Sequence, residues 1–163
     1  MIERRIYRHR LSRLFCAALC VGVGLSASVG AAAADEDDSG NIGQIKVSQG
    51  QVSIERGGQA MAAPIGLRLR AADVLKTGAD GSVGVTMRDN SLLSAGPNSI
   101  VSLARFEFDA STSQGRFEAD LQRGTLAVVS GRIAKQSPAS MSVRTPSAVL
   151  GVRGTNFVVS AEP

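Results

Sequence analysis

Beyond residue 20 the chain contains no cysteine, histidine or tyrosine, and it has no tryptophan at all. Each absence removes a class of function. Catalytic zinc sites nearly always include histidine, and structural ones draw on cysteine or histidine. Cysteine nucleophiles and Ser-His or Cys-His pairs are excluded with them. Platforms that stack sugars or single-stranded nucleic acid normally use tryptophan or tyrosine. After residue 20 only Phe106, Phe108, Phe117 and Phe157 remain as aromatics. Chemistry is thereby restricted to a carboxylate pair, a Ser-Lys pair or an oxygen-ligand metal site. The expectation is a protein that is not an enzyme, with no catalytic residues, no cofactor and no metal.

Net positive charge is also missing where it would matter. The formal +4 comes from 18 Lys+Arg against 14 Asp+Glu, but five arginines and Glu3 fall within the first 34 residues. Thirteen charges of each sign remain, so no basic stripe for nucleic acid is left. The first 34 residues read as a secretory leader. Arg4, Arg5, Arg8, Arg10 and Arg13 precede an uncharged apolar stretch over residues 14–30, and Ala31, Ala32, Ala33 and Ala34 offer a small-residue cleavage site. Cys16 and Cys20 follow Phe15 and Leu19 rather than the small residue that lipoprotein processing needs. The expected location is the periplasm, without stable membrane insertion of the mature chain. The alternative is a retained leader that anchors the chain in the inner membrane facing the periplasm.

The remainder divides into an acidic tether over residues 35–42 and one domain over residues 43–163. Within the domain, apolar residues alternate with polar ones in short runs. Val83, Val85 and Met87 fall on one side, with Ser82, Thr86 and Arg88 on the other. Thr77-Gly78, Asp89-Asn90, Gly96-Pro97-Asn98 and Gly154 cut these runs roughly every eight to ten residues. The pattern predicts an all-β fold, a sandwich or a short β-solenoid. A first hairpin is expected from residues 44–48 and 51–55 around Gln49-Gly50, with Ile45, Val47, Val52 and Ile54 inward. Residues 60–72 read as a looser stretch, residues 131–140 as a polar connection, and no helix is expected.

The ordered set Ala72-Asp73 to Thr77-Gly78, Asp89-Asn90-Ser91, Pro97-Asn98-Ser99 and Gly151-Val152-Arg153-Gly154-Thr155-Asn156-Phe157 resembles the FecR domain, over about residues 43–159. That family comprises the periplasmic domain of the ferric-citrate regulator FecR and stand-alone secreted FecR-domain proteins. The resemblance implies a secreted binding or signalling module of the cell envelope. The regulators also have a cytoplasmic segment before their membrane span, and only residues 1–13 stand before the apolar stretch here. The family usually adds a further strand pair after the Arg-Gly-Thr motif, whereas this sequence stops at Pro163. The rival classes are a structural envelope or assembly protein, and a carboxylate hydrolase.

Candidate site residues follow from these motifs. Arg153, between Gly151 and Gly154, is expected to pair with Asp73 or Asp89 and lock the last strand, with Thr155 and Phe157 completing the motif. The other reading makes Arg153 an anion site. Glu107, Asp109, Glu118 and Asp120 are expected to share one exposed face, balanced by Arg105, Arg116 and Arg123. Thr155, Phe157 and Val159 form one side of an edge that pairs with an envelope protein or with a second copy. The leader carries the first prediction. Intact mass of the exported protein should correspond to a chain beginning after Ala33 or Ala34, and a membrane-bound form retaining Met1 would establish the anchor instead.

Overall fold

A computed structural model describes residues 40–152 and 156–162. The leader, the tether up to residue 39, and Arg153, Gly154 and Thr155 lie outside the described residues. Those described form twelve strands: β1 (Asn41–Gln49), β2 (Val52–Arg56), β3 (Gln59–Ala62), β4 (Arg68–Arg70), β5 (Val74–Thr77), β6 (Ser82–Met87), β7 (Leu92–Ala95), β8 (Ile100–Phe108), β9 (Gly115–Val129), β10 (Met141–Arg144), β11 (Val149–Gly151) and β12 (Asn156–Ala161). The strands make one curled sheet with two wings. The first wing runs β4-β1-β6-β7-β9-β12, and the second β3-β2-β5-β8-β9-β10-β11. Pairing is antiparallel except between β9 and β10. The parallel stacking on which a solenoid depends is therefore confined, among the described residues, to that one pair, and the all-β expectation holds as a single curled, mainly antiparallel sheet.

The fifteen residues of β9 belong to both wings. Its first half pairs with β8 and β10, and its second half with β7 and β12. The strand turns between them at Gly124, where φ is +89°. A Cβ there would lie 2.2 Å from Ser99 Oγ and 2.5 Å from Ser99 Cα, so only glycine fits. Ser99 holds the bend from beneath. Its hydroxyl accepts the Thr125 N–H at 3.0 Å, and its own N–H donates to Thr77 Oγ1 at 2.8 Å. Thr77 Oγ1 donates in turn to the Gly96 carbonyl at 2.6 Å. Thr77 and Ser99 are both buried.

The core lies between the wings. Ile54, Leu75, Val101 and Leu121 stand opposite one another across the second wing. Ile45, Val85, Leu93 and Val128 do the same across the first, and Phe157 continues that row on β12. The first eight are buried, while Phe157 is half-buried against them. Phe106 and Phe117 meet edge-on at 5.7 Å between centroids.

Five expectations need correction. β1 and β2 do not form a hairpin: β1 pairs with β4 and β6, β2 with β3 and β5. At Gly50 (φ +64°) the chain crosses between wings, and a Cβ there would be 2.2 Å from the Asp80 carbonyl oxygen. Val47 is 44% exposed, because a bulge between Ile45 and Val47 reverses the alternation. The hairpin instead joins β2 to β3 through Gly57-Gly58, both at positive φ, so residues 59–62 are strand. Residues 41 and 42, assigned to the tether, belong to β1. Ile42 is buried, and its carbonyl accepts the Arg88 N–H. Finally, the connection after β9 contains the short helix α1 (Arg132–Gln136) and a 3-10 turn at Pro138–Ser140.

Gly124→Ala should cost at least about 2 kcal/mol, since it combines a left-handed backbone with overlap against Ser99. Val128→Ala should cost a similar amount by loss of buried surface, and Phe157→Ala less, because its ring is half-buried. Denaturant unfolding of the three variants measures this; equal losses at all three would contradict the assigned bend and faces.

Candidate functional site

The two motif carboxylates have separate structural tasks. Asp73 is completely buried between β4 and β5. Arg56 grips both its oxygens, Nε to Oδ1 and Nη2 to Oδ2, each at 2.8 Å. The Arg70 N–H adds a third bond at 2.8 Å, and Arg56 Nη2 also reaches the Arg68 carbonyl. The cation on Asp73 is thus one from β2. The expected pairing through Arg153 falls on a residue outside the described ones. Arg56 gave no motif signal in sequence, since it follows an ordinary alternating strand and precedes Gly57-Gly58.

Asp89, also fully buried, organises the β6–β7 turn. Its carboxylate accepts from the Ser91 N–H at 3.0 Å and the Ser91 hydroxyl at 2.7 Å. The Ile133 N–H approaches it at 3.4 Å, and the Asp89 carbonyl accepts the Arg132 N–H at 2.8 Å. The Ser91 hydroxyl oxygen also accepts the Gly131 N–H at 2.9 Å. Asp89 therefore supplies partners to the first turn of α1, which explains a helix in a stretch with no helical periodicity.

The outer face of the second wing is charged and internally balanced. Register places Arg105 opposite Glu118 and Glu107 opposite Arg116, so opposite charges meet across β8 and β9. Within the strands, Arg105 binds Glu107 at 2.8 Å and Arg116 binds Glu118 at 2.7 Å, with Arg144 3.8 Å from Glu118. The Arg116 hydrogen bond is the main cause holding the Glu118 carboxyl below its usual range. Asp109 departs from the expected shared face. β8 ends at Phe108, and Asp109 instead accepts bonds from Ser111 and Thr112 in the following loop. The Ser111 hydroxyl, then the Ser111 and Thr112 N–H groups, bring its pKa down to about 2.

The outer face of the first wing is different. One transverse row reads Val47, Gly84, Ser94, Ala127 and Val158, and the next Gln44, Thr86, Leu92, Val129 and Asn156. From β6 to β12 neither row holds a charged residue, whereas at the far end Arg68 of β4 stands opposite Gln44 and the Lys46 ammonium binds Gln44 Oε1. Leu92, Val129 and Val158 are 46%, 40% and 67% exposed. They cluster at β12, which pairs with β9 on one side and with no strand on the other among the described residues. Within β12, Phe157 and Val159 face the core, while Asn156, Val158 and Ser160 face outward, so the expected alternation is present. Gly151 is exposed on β11, across a groove of about 340 Å³ lined by Leu150 to Val152 and Asn156 to Val159. Among the described residues no three His, Cys, Asp or Glu side chains are grouped as a metal site would need.

Arg56→Lys should destabilise the fold by about 1–3 kcal/mol, because an ammonium cannot span both Asp73 oxygens. Arg56→Ala should cost more, about 3–5 kcal/mol, since it leaves a buried carboxylate without its cation. Thermal unfolding near neutral pH measures both, and wild-type stability in Arg56→Lys would dismiss the bidentate clamp.

The family model described as FecR protein matches residues 73–163. No curated protein and no solved structure matches the chain. The match starts at buried Asp73 and takes in β5 to β12, including the Thr77–Ser99 bridge, the bend at Gly124 and the Asp89 clamp. It spans more than half of the sequence, and the chain accordingly belongs to the FecR family.

Proposed function

We propose that this chain is a periplasmic FecR module that works through protein contacts in the cell envelope and not by catalysis. Family membership makes it a signalling-related domain. The observation that carries the contact reading is the uncharged stretch from β6 to β12 on the outer face of the first wing, which ends on β12, a strand unpaired on one side among the described residues. A strand with unpaired backbone groups and alternating side chains can receive another strand, with the main chain giving affinity and the side chains selectivity.

The carboxylate-hydrolase alternative has little support. Glycoside cleavage needs one carboxyl held protonated near neutral pH. Glu118 is shifted the opposite way by Arg116, and Glu107 is paired with Arg105. No helix among the described residues is long and apolar enough to cross a membrane.

A photo-crosslinking residue at position 158 of the full chain, expressed with its own leader, tests the reading. Protein adducts should form from position 158 and not from position 122, which is exposed on β9 in the second wing. Absence of adducts from 158, or equal labelling from both positions, would reject the first-wing contact.

A further inference from the structure

We propose that two copies of this chain join through β12, antiparallel about a two-fold axis at Val158. This rests on the reading of β12 as a contact strand and names its partner. The argument is complementarity of the strand with itself. Asn156–Ala161 contains no charge and no proline, and its pairing with β9 runs without a bulge. Native edges are normally blunted by such devices. A two-fold axis perpendicular to the sheet keeps inner faces inner and outer faces outer, so residues of the same parity stand opposite one another. Centred on Val158, the register sets Phe157 against Val159 of the second copy on the core side. On the outer side it sets Val158 against its own counterpart and Asn156 against Ser160. From Asn156 to Ser160 apolar meets apolar and polar meets polar.

The other edges are poorer candidates. β4 carries Arg68 and Arg70 on either side of Leu69, so self-pairing about Leu69 would set arginine against arginine. β3 and β11 have four and three residues. β12 has six, and beside it the groove of about 340 Å³ leaves room along its unpaired side. The surface next to the axis would also be uncharged on both sides, Ala127 lying beside Val158 in each copy. Six paired residues bury little area, which makes the dimer weak and concentration-dependent.

Sedimentation equilibrium of the exported full chain over a concentration series tests this. The wild type should move from monomer to dimer with rising concentration. Val158→Asp and Val158→Lys should each weaken association about tenfold or more, by setting like charges together at the axis. Position 158 is 67% exposed, so circular dichroism of both variants should match the wild type. An equimolar mixture of the two variants should recover the dimer, a result that loss of folding cannot produce. A wild type that stays monomeric at every concentration, or a dimer indifferent to Val158→Asp, overturns the proposal. A monomer whose position 158 still crosslinks to a different protein would overturn it while leaving the contact reading intact.

Discussion

The fold depends on the place where β9 leaves one wing and enters the other. Three residues far apart in sequence meet there: Thr77 closing β5, Ser99 before β8, and Gly124 inside β9. A fifteen-residue strand cannot serve two wings unless it bends. A bend exposes backbone groups that the ladder no longer satisfies. The Ser99 hydroxyl takes the Thr125 N–H at that point, while Thr77 bonds Ser99 on one side and the Gly96 carbonyl on the other. Because these groups are buried, each bond acts in a low-dielectric setting where an unmade one would be costly. Both wings inherit their relative position from this small polar cluster.

Most strands could be read in the sequence because alternation and turn chemistry are local. The alternation from Ser82 to Arg88 and the break at Asp89-Asn90 mark a strand and a tight turn, and β6 and β7 form there with Asn90 at φ 66°. The errors share one cause: partner choice is non-local. Gln49-Gly50 looks like a hairpin turn, yet Gly50 packs on Asp80, and β1 and β2 separate into different wings. Val47 fits its alternation but is displaced by a bulge that only the β6 register reveals. The helix at residues 132–136 has no periodic signal, since its first turn is satisfied by Asp89 more than forty residues earlier. The candidate site was legible to a similar extent. Asp73 and Asp89 stand out in the motifs, and both are buried. The cation Arg56 does not stand out, because nothing local to β2 distinguishes a bidentate clamp from a solvated arginine.

Two outer faces built from the same alternating strands differ sharply in character. On the second wing, Arg105, Glu107, Arg116 and Glu118 neutralise one another in an array satisfied from within. Pairs of this kind contribute little energy, but they leave no net field to attract a charged ligand. On the first wing the outward positions from β6 to β12 are Gly, Ser, Thr, Ala, Asn and a few aliphatics in two consecutive rows, and charge returns only at β1 and β4 with Lys46 and Arg68. Such a surface does not repel another protein and does not demand a specific counter-charge.

The motif residues and the contact residues occupy opposite sides of the same backbone, which separates their roles. Asp73, Thr77, Asp89, Ser91 and Ser99 all point inward and are consumed by backbone donors, hydroxyls or Arg56. Their chemistry is spent on turns and on the bend of β9, so they are poorly placed to read a partner. The side chains that alternate with them are free of that duty. On β12 this division is sharpest: Phe157 and Val159 pack on the core, and the Val158 side chain between them is exposed. A substitution at such a position alters what the edge accepts without disturbing what keeps the edge in place. On the proposed contact reading, substitutions in the outward row alone would change what the edge accepts, while the buried polar cluster would keep β9, and β12 paired to it, in register.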